Sequence, residues 1–112
     1  TDEIALTNTA GVANGTDAGA LVTVAGLAGL TIDDVIADTS ANLGGNAVNV
    51  GDQSGIFTSG GYAYETDTGN LYFDADGNFT AGVVLVATLY STASGGINTP
   101  VAPAAGDFQF GV

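Results

Sequence analysis

The sequence predicts an all-β domain, an antiparallel β-sandwich or meander of about seven to nine short strands with at most one short helical turn. Three observations lead there. Short alternating or β-branched apolar runs recur along the chain, each bounded by Gly, Asp, Asn or Ser. Glycine is abundant (18 residues) and proline rare (2), so the chain turns often. Residues 62–90 hold aromatic and valine-rich segments separated by short Asp/Gly/Asn turns, the pattern of hairpins. One hundred and twelve residues make one domain with a modest core, and we treat 1–112 as a single unit.

In chain order, residues 3–7 (EIALT) alternate as a half-buried strand does. Residues 8–19 are turn-rich, and residues 20–24 (ALVTV) read as a second strand that glycines 26 and 29 break. Residues 31–36 (TIDDVI) fit a single helical turn, with Thr31 as N-cap and Asp34 three residues on, or else a strand edge; the turn is the reading preferred here. Residues 38–47 read as loop, and Val48 and Val50 as a short strand. The signal then sharpens into a three-stranded meander: residues 62–66, turn 67–70, residues 71–73, turn 74–78, and a long β-branched strand over 79–90. Residues 91–106 form a Ser/Gly/Pro/Ala loop, and residues 107–112 (DFQFGV) alternate as a last strand.

Charge sets the chemistry. The chain has twelve carboxylates and no Lys, Arg or His, for a net charge of -12. At ordinary usage about a dozen basic residues would be expected. No side-chain ion pair can form, so the acids must be met by water, by backbone N–H groups or by a cation from solution. Hydrophobic residues make up 46%, which excludes an acidic disordered tail. Acidity argues against nucleic acid and anionic membrane surfaces. The longest apolar stretch, residues 81–90, is too short to span a bilayer as a helix.

Without His, Cys or Lys, a serine nucleophile lacks its usual base and zinc its nitrogen and sulfur ligands. Asp67-Thr68-Gly69 matches the aspartic-protease triplet, but Glu65 and Thr66 before it and Asn70 after it make it a solvated turn. The chain is therefore read as a non-enzyme. The sequons at Asn14 and Asn78 matter only in a source that adds such glycans.

What remains is oxygen chemistry, and calcium is the cation that takes six to eight hard oxygen ligands. Asp74-Ala75-Asp76-Gly77-Asn78 places acids two apart with a glycine to turn the chain, the look of a calcium loop, though it lacks the closing glutamate of an EF-hand. The plainer reading is a hairpin turn. The candidate ligands are Asp74, Asp76 and Asn78, with Asp67 of the preceding turn as co-ligand. Asp33, Asp34 and Asp38 form a second candidate cluster. Residues 83–90 (VVLVATLY) are uncharged, proline-free and high in β-propensity. The first reading is a central core strand; on a sheet edge the same residues would pair with another copy.

Residues 62–78 (YAYETDTGNLYFDADGN), followed by residues 82–89 (GVVLVATL), resemble the terminal module of RTX-type, haemolysin-like calcium-binding proteins. The opening 2–6 (DEIAL), the segment 30–36 and the Asp-Phe ending at 107–112 are similar more loosely. The resemblance, strongest at 62–90, implies export by a type I system with an uncleaved C-terminal signal, and calcium-assisted folding outside the cell. The glycine-rich nonapeptide repeats of that family are absent, so its repeat calcium sites do not carry over, and the insert at 90–103 is long.

The expected function is a non-enzymatic extracellular or cell-surface module that binds calcium and self-assembles into a filament, matrix fibre or surface layer. Its partners would be calcium and copies of itself, without nucleic acid or membrane insertion. A start at Thr1 without methionine suggests a processed fragment with tethered ends, and residues 1–9 offer one strand-exchange joint. The alternative is a C-terminal folding cap and type I secretion module of a larger enzyme or adhesin. A carbohydrate site on Tyr62, Tyr64, Tyr72 and Phe73 is a third reading, set against the commoner role of such rows as cross-strand core pairs.

Overall fold

The computed structural model describes residues 4–6, 15–92, 98–100 and 103–110. The proposed joint at 1–9 (apart from 4–6), Asn14 of the first sequon and half of the 90–103 insert lie outside the described residues.

The chain is mostly β, built around a mixed five-stranded sheet in the order β2-β3-β4-β5-β6. Its strands are β2 (Leu21–Val22), β3 (Val35–Asp38), β4 (Gly61–Glu65), β5 (Asn70–Asp74) and β6 (Val84–Thr88). The predicted meander is its antiparallel half: Tyr62 pairs with Phe73 and Tyr64 with Leu71 across the 65–70 turn, and Phe73 pairs with Val84 across the next. The other half is parallel, β2 to β3 and β3 to β4, so the sheet is not the antiparallel one expected. Connections of a dozen or more residues run from β2 to β3 and from β3 to β4, which is what a parallel pair requires.

The two faces are covered differently. Alternation along β3, β4 and β5 sends Val35, Ala37, Tyr62, Tyr64 and Leu71 to one side, where Leu6, Phe108 and Phe110 close over them. These last come from β1 (Ile4–Leu6) and β9 (Phe108–Phe110), which pair in parallel. Ile36, Ala63 and Tyr72 face the other side, against Leu30, Leu43, Ala47, Val50, Phe57 and Phe79. That layer is helical: 3₁₀ turns at Val24–Gly29 and Gly45–Val50, and the single-turn helix α1 (Ser40–Leu43) capped by Thr39. A short hairpin of β7 (Tyr90–Thr92) and β8 (Asn98–Pro100) and a 3₁₀ turn at Ala105–Asp107 complete the described chain.

Several local expectations are corrected. Residues 31–36 do not open a helix. The Asp34 carboxylate accepts from the Thr31 N–H (2.8 Å) and hydroxyl (3.0 Å), closing a turn that releases the chain into β3. Residues 38–50, read as loop and strand, supply the helical layer, so the molecule holds more than one helical turn. The long strand over 79–90 is broken: Phe79 dives into the helical-side core, Gly82 adopts φ +80, and β6 starts only at Val84.

Candidate functional site at the turn between β5 and β6

β5 ends on Asp74, and the next residues form a ladder of side-chain caps. The Asp76 N–H donates to Asp74 Oδ1 (3.2 Å) and the Asn78 N–H to Asp76 Oδ1 (2.9 Å). The Thr80 N–H (3.1 Å) and hydroxyl (2.6 Å) then donate to Asn78 Oδ1. A spacing of two puts each acceptor over the next free N–H, the turn chemistry that Asp and Asn favour. Residues 51–53 back the turn through Gln53 N–H to the Gly77 carbonyl and Phe79 N–H to the Gly51 carbonyl, both 2.8 Å. Gly77 sits at φ +77 with the Phe57 carbonyl where a Cβ would go, so any side chain there strains the turn.

Asp74 differs from every other acid in view. It is 1% exposed, and its Oδ2 is the one buried side-chain polar atom among the described residues that has no hydrogen-bond partner. While both groups are ionised the neighbouring Asp76 carboxylate cannot serve as partner, because both are acceptors; only a protonated Asp74 can donate to it. Burial, reinforced by Asp76, pushes the Asp74 carboxyl up to about 6, while the Asp74 side chain and the Asn78 N–H hold Asp76 low. Asp74, Ala75, Asp76, Ala81 and Gly82 line a half-open hollow of about 170 Å³ at this point. A Cβ at Gly82 would lie 3.8 Å from Oδ2, so the glycine keeps that wall thin.

The remaining candidate ligands are elsewhere and already engaged. Asp67 lies on the β4–β5 turn, at the opposite end of β5, and accepts from the Ser40 N–H and hydroxyl at 2.8 Å each. Five strand residues at about 3.3 Å apiece separate it from the Asp74 turn, so it does not join that turn as co-ligand. Asp34 is taken up by Thr31, and Asp33 accepts from the Thr31 hydroxyl (2.8 Å). Asp38 accepts from Val24 N–H, Thr39 N–H and the Asn42 amide (3.1, 2.8 and 2.9 Å). Burial pushes Asp38 up, but these donors outweigh it and leave it below the usual range. Among the described residues no three acids stand close enough together to hold an ion as a group.

Hydroxyl and amide side chains therefore do much of what missing cations would have done. Ser54 donates its N–H (3.0 Å) and hydroxyl (2.6 Å) to Asp52, and Thr68 (2.6 Å) and Asn70 (3.2 Å) donate to buried Glu65. The Ser54 bonds lower Asp52, and the Ser40 bonds lower Asp67. The opening reading left out this class of donor, although pairs such as Asp52/Ser54 and Glu65/Thr68 sit at turn spacing in the sequence.

The second feature of the site is β6 itself. It is the edge of the sheet, and Val84, Leu85 and Val86 are 57%, 50% and 49% exposed. The core-strand reading of this run is thus overturned for residues 84–86, whose side chains stay exposed, while Val83 and Ala87 on either side still pack against the helical-side and opposite cores. The aromatic row weighed for carbohydrate lies mostly inside, with Tyr62, Tyr64 and Tyr72 buried and Tyr62 packed against Phe73 with the rings tilted at 46° and 4.9 Å apart.

No protein-family model, curated protein or solved structure matches the chain.

Proposed function

We propose that the chain is a non-enzymatic, extracellular structural module that takes up calcium and associates with copies of itself, as the subunit of a filament, matrix fibre or surface layer. The observation that carries this reading is the β6 edge, three consecutive exposed apolar residues on a strand whose outer side pairs with no other strand among the described residues. An exposed apolar edge is a template for another strand. Nature usually blunts such edges with charge or proline, and β6 has neither.

Charge selects the partner. Residues 79–106 contain no acid, so all twelve carboxylates lie in the rest of the chain. Two bodies of net charge -12 repel over most of their surfaces. The uncharged edge is where two identical copies can meet without setting carboxylate against carboxylate, whereas a cationic partner would be drawn to the acidic surface instead. The pairing register skips Val86, a bulge that twists the edge. A two-fold joint there is self-complementary and closes as a dimer, and growth into a polymer takes a second contact.

Sedimentation velocity over a range of concentrations tests the joint. Wild type is expected to associate with rising concentration, and Leu85→Lys to remain monomeric with an unchanged thermal midpoint. Ala28→Lys makes the same charge change at an exposed site on the helical layer and should behave as wild type. A wild type that stays monomeric throughout, or a Leu85→Lys chain that still associates, refutes the proposal.

A further inference from the structure

We infer that Asp74 Oδ2 and the Asp76 carboxylate form the anionic wall of a divalent-cation site, of calcium chemistry, that pins the link into β6 against the end of β5. This deepens the structural-module reading by naming the ion's seat and what it controls.

A buried carboxylate oxygen without a donor is costly, and folded proteins almost always provide a partner. A proton, a water or a metal ion can fill the gap. The hollow is large enough to admit a water or an ion, since it encloses about 170 Å³. Asp76 shares the hollow, which concentrates two negative charges on one small space in a protein with no cationic side chain to offer. Two carboxylates, nearby main chain and solvent supply oxygen alone, the donor set calcium prefers. Magnesium is the poorer fit, because it demands a near-ideal octahedron and gives up its waters reluctantly.

The place of the hollow gives the site a consequence. Asp74 terminates β5, Ala81 and Gly82 form the facing wall, and Val84 opens β6 two residues later. An ion held between those walls ties residues 81–82 to the sheet just where the exposed edge begins. Removing it leaves Asp74 and Asp76 to repel one another across the same gap and loosens the start of the edge.

The test uses the whole chain, stripped with EGTA, and calcium chloride as titrant in calorimetry. Wild type is expected to bind one calcium, and Asp74→Asn, which keeps the shape and removes the charge, to weaken binding about tenfold or more. Asp67→Asn removes an equal charge at the far end of β5 and should bind as wild type. Amide exchange over residues 81–84 should slow on adding calcium in wild type and not in Asp74→Asn. No calcium heat in wild type, or equal weakening by the Asp74 and Asp67 substitutions, overturns the site, leaving the oxygen to water or a proton. Failure of the site and failure of the edge are distinguishable: Leu85→Lys should bind calcium normally, and Asp74→Asn that still associates while losing calcium would sink the control of β6 alone.

Discussion

Asp74 illustrates how one carboxyl records its surroundings. Its pKa is raised from 3.8 to about 6 by burial and by Asp76. Between those values the folded chain holds a proton that the unfolded chain has released, so stability falls as pH rises through this window and is not regained above it. In EGTA, Asp74→Asn should therefore be more stable than wild type at pH 7, by about 1–3 kcal/mol, with the difference vanishing near pH 4. Urea titrations at the two pH values measure it. Saturating calcium should narrow that gap at pH 7, because wild type binds the ion more tightly and gains more from it. Asp52 and Asp67, held low by Ser54 and Ser40, have the opposite sign: their contribution is present at neutral pH and is lost as pH falls below the ordinary carboxyl range. The Asp-x-Asp-Gly-Asn pattern marked Asp74 as a candidate from the sequence, but its burial did not show there. That depends on tertiary packing: Asp74 is paired with Gly61 of β4 and faces Ala81 and Gly82 across the hollow.

Among the elements, the β4–β5–β6 meander was legible because its turns are written in Asp, Gly and Asn, at residues 67–70 and 74–78. Parallel pairing of β3 with β4 was not legible, since it joins residues 36–38 to 63–65 through no local pattern. Thr31 and Asp34 misled for a physical reason: Ser/Thr with an acid three residues on caps a helix, and the same hydrogen bonds close an isolated turn. The valine run misled as well, because periodicity cannot tell a core strand from an uncovered edge. The turn itself is testable at Gly77. Gly77→Ala would need φ +77 and would meet the Phe57 carbonyl, so we expect a loss of about 1–3 kcal/mol by urea denaturation. Calcium affinity should fall with it, because Asp74 and Asp76 are aimed by that turn.

For the whole molecule, net charge -12 without one side-chain ion pair means that added salt has repulsion to screen and no side-chain salt bridges to weaken. The thermal midpoint should therefore rise with sodium chloride, and rise further in calcium chloride at equal ionic strength. Equal midpoints in the two salts would place the carboxylates in a diffuse ion atmosphere only. The same charge distribution leaves residues 79–106, β6 among them, without a carboxylate, which is why the proposed contact between copies is placed at that edge. The alternative of a folding cap cut from a longer secreted protein predicts a monomer whose β6 edge a preceding domain covers, and the Leu85→Lys comparison separates the two.

The most direct measurement is a crystal structure of the chain grown in calcium, with anomalous data to identify the ion. The account predicts a single strong peak in the hollow beside Gly82, with oxygens of Asp74 and Asp76 about 2.3–2.6 Å away. A water in that hollow hydrogen-bonded to Asp74, with calcium scattered on exposed acids or absent, would contradict it.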